Sequence, residues 1–462
     1  MNHRPRIVEV LYRAETGPIM EEADFERKLV APSIKAAVEK HNIKFDGETA
    51  VNSDDDLADR VFQAGFEVAR DVGLFCQDTS RRIVWSEKEL EAGLRYCPSE
   101  VTMGLGVDAV TLTTRRPEDT KRVGIVGGAY GVPVPEHMYI PMALSYLKHP
   151  IFDSVDNPSL ETVYGHPVKA GSAWEVLAAR REAELALLAA NMVGRAGISL
   201  GCVEMSPTQL GALAGASWGG YRPSDWHHVS LLSELKVNHD TLSISTHVAR
   251  IGGALEAYYN PIYGGYVGGA EGVAVSIVAG LILLNQTYVA HIYNTRPNHP
   301  FYNNDTTREL IWATSLGIQA LARNTNLITE TLVGPAGGPG TKTILYENAA
   351  FSLANTVSGQ SAQTSSHSAG GAIPRHASGL DSLISGETVH AASGKTREEA
   401  NEIVNRLIAL YEADLDTNPK GRPFEEVYDM ETVEPTAEWQ GIYDEVREEL
   451  VEMGLPMDRM VW

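Results

Sequence analysis

The sequence predicts an α/β fold, a (β/α)8 barrel of the TIM type, on three observations. From about residue 121 short apolar runs alternate with long amphipathic segments, the pattern of a parallel sheet buried on both faces. At least six such units follow one another along the chain. The first run, "RVGIVGG" at 122–128, leads into "VGGAYG" (126–131), which lacks the G-x-G-x-x-G spacing of a dinucleotide-binding turn. A closed barrel is therefore preferred to an open doubly wound sheet.

The elements follow in order. Residues 1–120 form a helical and hairpin elaboration ahead of the barrel. Its helical patterns are "DFERKLVAPSIKAAVEKHN", "DDDLADRVFQAGFEVARDVG" and "SEKELEAGLRYCP". The last opens on Ser86 with Glu89 three residues on, a capping box. "EVTMGLGVDAVTLTTRR" (100–116) alternates on both sides of a Gly-containing turn and predicts a β-hairpin. Barrel strands are expected at 122–128, 150–157, 197–203, 242–248, 288–294 and 328–335. Helices are expected between them at "SAWEVLAARREAELALLAANMVG", "DWHHVSLLSELKVN", "AEGVAVSIVAGLILLN", "DTTRELIWATSLGIQALARNT" and "TKTILYENAAFSLANTVSG". Two further helices fill the C-terminal region, 400–462, and pack on the barrel wall. No low-complexity linker interrupts the chain, so residues 1–462 are read as a single domain.

Charge narrows the partners. Against 38 Lys and Arg stand 60 Asp and Glu, a formal net charge of -22. Such a surface repels phosphate backbones and anionic headgroups, so neither nucleic acid nor membrane is expected as a partner. The longest apolar stretch, "VAVSIVAGLILLNQTYVAHIY", carries Asn285, Gln286 and His291 and reads as a buried helix leading into a strand. The first residues have no apolar signal core. Cys76, Cys97 and Cys202 are odd in number and lack metal-type spacing, which fits a reducing cytoplasm.

Active sites of β/α barrels lie at the C-terminal ends of the strands. By that rule the candidates are Cys202 and Glu204 after one strand, His247 at the end of another, and His291, Tyr293 and Asn294 on a third. The segment 257–272 adds Tyr258, Tyr259, Tyr263 and Tyr266, and 217–228 adds Trp218, Tyr221, Trp226, His227 and His228. Aromatic residues make up 7% of the chain, so their concentration in two predicted mouth loops points to a bound cation or planar ligand.

Several stretches carry a resemblance: "FQAGFEVARDVGLFCQDTSRRIV", "NMVGRAGISLGCVEMS", "SELKVNHDTLSISTHV", "NPIYGGYVGGAEG", "VGPAGGPGTK" and "NRLIALYEADL". In that order they resemble the monomethylamine methyltransferases of methylotrophic methanogens, over nearly the whole chain. The resemblance implies a barrel that assembles as a homo-oligomer and passes a methyl group to Co(I) of a corrinoid protein. No cofactor is bound directly; the corrinoid comes with the partner. The family's pyrrolysine, whose imine is thought to capture methylamine, matches Gly201 here. Two family carboxylates and a glutamine match His228, Tyr258 and Leu332. Glu204, Asp225, His227, His247 and the Gly264-Gly265 pair keep the family's residue types.

Loss of the capturing group favours a donor that needs no capture. A quaternary ammonium or sulfonium departs as a neutral amine or thioether, so the chain is expected to be a methyltransferase for such an onium donor. Glu204, His228 and His247 are the candidate catalytic residues. Gly201, Cys202, Tyr221, Tyr258, Tyr259 and Leu332 are the candidate substrate-binding residues, with Tyr258, Tyr259, Tyr221, Trp218 or Trp226 caging the cation. An alternative reading has Cys202, His228 and His247 hold zinc, which would activate a methoxy or methylthio donor. A third reading is a non-catalytic relative that binds a corrinoid protein or a small ligand.

Overall fold

The computed structural model describes residues 6–201, 208–417 and 419–458. At its centre eight parallel strands close into a barrel in sequence order. They are β1 Gly124–Gly128, β2 Ser154–Asp156, β3 Ser199–Gly201, β4 Trp226–Ser230, β5 Ala254–Tyr259, β6 Ile292–Thr295, β7 Ile328–Leu332 and β8 Ala362–Thr364. Each pairs with its sequence neighbours, and β8 pairs with β1 to close the ring. One helix follows each strand: α1 Glu136–Leu147, α2 Ala173–Met192, α3 Gln209–Gly215, α4 His239–Ile251, α5 Ala270–Thr287, α6 Arg308–Asn324, α7 Lys342–Val357 and α8 Gly379–Ala392. The fold is thus the expected (β/α)8 barrel, as its sequential parallel pairing requires.

The N-terminal additions complete the barrel. The hairpin Glu100–Met103 with Val110–Thr113 forms as expected. Its Val101, Met103 and Leu112 pack with Val126, Trp226, Ala254, Ile292, Ile328 and Ala362, and so plug the N-terminal end of the ring. The Ser86–Glu89 capping box is also present. Helix α5 is buried beneath the Asp55–Val72 helix. Gly65 permits that approach, since a Cβ there would lie 2.5 Å from the Val278 side chain. Among the described residues α5 alone is long and apolar enough to cross a membrane, and 94% of it is buried inside the protein. At the other end of the chain, Leu407 and Trp439 of the C-terminal helices Arg397–Tyr411 and Ala437–Glu452 join the core over α7.

Between residues 226 and 251 the expected order is reversed. The segment read as a helix holds β4, and "LSISTHV", read as a strand, lies within α4. Its β-branched residues mimic a strand, but the ends decide. The Asn238 side chain accepts from Thr241 N and Thr241 reciprocates, while Gly252 closes the helix in the left-handed region at φ 73. Residues 257–259, expected in a mouth loop, end strand β5, and β8 lies where the sequence predicts no strand. The polar "AQT" of β8 is entirely buried, which composition alone does not reveal. Replacing Asn238 by Ala should lower unfolding stability by about 1 kcal/mol; a urea melt would show it as a lower midpoint with an unchanged slope.

Candidate functional site

Alternate residues of each strand face the barrel axis and stack in layers. The hairpin-plugged floor contains Trp226, Ala254, Ile292, Ile328 and Ala362. Two residues further along come His228, Glu256, Asn294, Glu330 and Thr364, at Asp156 level, all at most 1% exposed. Above them Tyr130, Tyr258 and Leu332 form a small apolar cluster. An apolar floor and an aromatic ceiling therefore enclose a polar layer.

That layer is dominated by carboxylates. His228 Nε2 stands 3.3 Å from Asp156 Oδ1, and its Nδ1 3.2 Å from Glu256 Oε2. Asn294 Nδ2 donates to Glu256 Oε1 at 2.5 Å, and Trp226 Nε1 donates to Glu256 Oε2. The Tyr258 hydroxyl contacts His228 Nδ1, and Thr364 Oγ1 donates to Glu330 Oε1. Burial raises the Glu256 carboxyl above its ordinary range, against the pull of His228. Glu330 is held well above that range by burial and by Glu256 beside it. The two glutamates act on each other in this layer, and the upward shift of Glu330 favours its neutral form. Closer to the rim, His367 Nδ1 lies 3.0 Å from Arg296 Nη1 and its ring packs edge-on to Tyr130 at 5.0 Å. Burial and the guanidinium hold His367 well below its usual value, in the neutral form.

Gly201 ends β3 against this layer. A Cβ on it would come 2.2 Å from Asp156 Oδ1 and 2.9 Å from His228 Nε2. No side chain fits there while Asp156 and His228 hold these positions. The glycine is thus a geometric condition of the Asp156–His228 pair.

The candidate residues divide accordingly. Gly201, His228, Tyr258 and Leu332 meet inside the barrel. Cys202 and Glu204 lie outside the described residues. Tyr259 faces outward, its hydroxyl hydrogen-bonded to Glu234 Oε2 and Ser276 Oγ at 2.6 Å each. Tyr221 is buried in the outer core and Trp226 in the floor, while Trp218 is 99% exposed. Of the five aromatic residues offered for the cage, Tyr258 and Trp226 reach the polar layer, one from above and one from below, and Tyr259, Tyr221 and Trp218 do not.

His247 follows from the same reversal of β4 and α4. It sits on helix α4 with Nε2 3.1 Å from Ala216 O, lining an outer cavity of about 640 Å³ with Tyr221 and Ile251. His228 points to the axis instead, so the barrel wall separates the two imidazoles of the expected zinc trio. His291 precedes β6, where its Nδ1 accepts from Leu255 N at 3.2 Å. Tyr293 points outward to Asn285. Asp225 accepts from Leu200 N and pairs with Arg222, and His227 Nε2 contacts Arg222 O at 2.8 Å. Both brace the entry to β4 rather than a helix.

Asp156, Glu256 and Glu330 were missed, yet the sequence carried a signal for them. Each is an acid set within an otherwise apolar or small-residue strand run, "SVD", "ALEAYY" and "ITETL".

A sequence model of monomethylamine methyltransferase MtmB matches residues 6–455. The chain belongs to the MtmB family. It is by that membership a methyltransferase. Monomethylamine methyltransferase MtmB2 of Methanosarcina acetivorans is 31% identical over 443 residues, 96% of each chain. MtmB of Methanosarcina mazei is 30% identical over the same length and shares. The crystal structure of Methanosarcina barkeri MtmB superposes with a TM-score of 0.95 at 29% identity, covering 98% of this chain and 100% of that one. The structure of a hydroxylamine complex of MtmB agrees equally well. The MtmB scaffold is thus retained around a centre in which glycine occupies position 201.

The raised Glu256 and Glu330 values set a pH dependence. An acid whose pKa is higher folded than unfolded stabilises the fold below the unfolded value, and that contribution is lost as pH rises through the folded one. The melting temperature should fall as pH climbs above the ordinary glutamate value of 4.5. Glu330→Gln should show a flatter decline than the wild type in parallel melts across that range; identical slopes would show that the pair does not carry the raised value.

Proposed function

We propose that this MtmB-family enzyme transfers a methyl group from a small onium donor, a quaternary amine or a similar compound, to a corrinoid protein. The observation that carries the proposal is Gly201. It offers no electrophile, and the space its side chain would use is taken by Asp156 and His228. A donor that must first be captured covalently has nothing to react with at this position. A quaternary ammonium needs no capture: its carbon–nitrogen bond breaks with the electron pair going to nitrogen, and a neutral tertiary amine leaves.

The residues present suit such a donor. The buried carboxylates favour a positive charge, and the Tyr130 and Tyr258 rings above them can each add ~0.5–2 kcal/mol by cation–π attraction. No proton has to reach the leaving group, so Glu330 can keep its own. The corrinoid of the partner would supply the nucleophile that accepts the methyl group. At the C-terminal face Phe301 is 86% exposed and Ile262 37%, apolar surface of the kind a docking protein covers. The zinc reading has less support, because it needs His228 and His247 on one ion.

Incubation with a reduced corrinoid protein and a panel of methyl donors tests the proposal through the visible spectrum of the corrinoid. Methylation is expected from a quaternary ammonium or sulfonium compound and not from methylamine. Turnover of methylamine alone would refute the proposal. Silence across the panel, with a corrinoid protein active towards another methyltransferase, would favour the non-catalytic reading.

A further inference from the structure

We infer that the barrel axis contains a binding site for a single positive charge, anchored by the Asp156 carboxylate, for which the glycine at 201 leaves room. The ligand class rests on the onium reading above; the site itself rests on charge and geometry.

Acidic groups outnumber basic ones in the polar layer, where the three carboxyl groups of Asp156, Glu256 and Glu330 are all fully buried. His228, wedged between Asp156 and Glu256 at 3.3 and 3.2 Å, can return at most one positive charge. The charges acting on Glu256 and Glu330 come from one another, from Asp156 and from His228. Arg296 at the rim is engaged by Asp305 at 3.5 Å and by His367. Three acids thus face one imidazole in a fully buried layer, where uncompensated negative charge is costly. A bound monocation removes that cost.

Unmet acceptors point to the same place. Asp156 is 0% exposed; its Oδ1 faces His228 Nε2 at 3.3 Å, and its Oδ2 has no hydrogen-bond partner among the described residues. Asn294 Oδ1 is likewise buried and without one among those residues. Buried acceptors of this kind are rare in a finished core and call for an occupant. The upper wall is aromatic: Tyr130 stands edge-on to His228 at 6.0 Å and to Tyr258 at 6.2 Å, and Tyr258 stacks on His228 at 5.4 Å. Carboxyl oxygens next to aromatic rings are complementary to a methylated onium centre, whose methyl hydrogens carry part of the charge.

Gly201 completes the argument as a specificity determinant. One added methyl group would stand 2.2 Å from Asp156 Oδ1 and displace the carboxylate. The absence of a side chain at 201 thus lets Asp156 reach the axis.

The test is calorimetric titration of the full chain with tetramethylammonium, with choline, and with 3,3-dimethylbutan-1-ol, the neutral isostere of choline. Both cations should bind, and the isostere at least tenfold more weakly than choline. Asp156→Asn and Gly201→Ala should each weaken cation binding at least tenfold. Tetramethylammonium should raise the melting temperature of the wild type but not of Asp156→Asn. Absence of cation binding to the wild type, equal binding of choline and its isostere, or undiminished binding by a folded Asp156→Asn would each overturn the inference. The isostere comparison uses only the wild type, so it decides even if a variant misfolds. If onium donors methylate the corrinoid protein but Asp156→Asn binds normally, the methyl-transfer reading stands and this site falls. If binding depends on Asp156 but no onium donor is turned over, the site stands and the methyl-transfer reading falls.

Discussion

Closure of eight parallel strands into one hydrogen-bonded ring is the constraint on which the site depends. In a closed sheet every second residue must face the axis, and neighbouring strands bring their inward residues to common levels. His228 is thereby set beside Glu256 in the register of β4 and β5, and Asn294 beside Glu330 in that of β6 and β7. The hairpin plug at the floor and the Tyr130–Tyr258–Leu332 cluster above leave this layer between two apolar ones. Low dielectric on both sides is what moves the two glutamates away from their ordinary ionisation.

A layer built in this way is poor for stability and useful for binding. Three carboxyl groups within one buried ring repel each other when charged, and His228 with the donors Asn294, Trp226 and Thr364 relieves them in part. Proteins retain such arrangements where a ligand or a reaction needs them. The surrounding architecture is correspondingly robust: α5 is enclosed by the barrel and the Asp55–Val72 helix, and the C-terminal helices cover α7. Strong packing around the ring carries the weaker, charged centre.

The chain shares its backbone frame with the MtmB family. A TM-score of 0.95 at 29% identity means that the backbone persists while most side chains differ. Gly201 is the point where the two meet. Its backbone belongs to the ring, being paired with Asp156 on one side and Trp226 on the other. The direction a side chain would take from it leads into the Asp156–His228 pair.

By itself the sequence determined the barrel class, the plug hairpin and most of the helices, since these depend on local periodicity, caps and apolar runs. Residues 122–128 and 328–332 declare themselves as buried strands by composition, and Ser86–Glu89 declares a helix start by hydrogen-bonding capacity. Local patterns failed at 226–251, where β-branched residues occupy a helix and an aromatic, His-rich stretch forms a strand. His247 was consequently expected at the mouth and Tyr259 in the cage, whereas both lie outside the ring. Only the tertiary structure decided that Asp156, His228, Glu256 and Glu330 share one layer. They come from four different strands, and their meeting depends on strand register around a closed ring, a long-range property that no local stretch of sequence encodes.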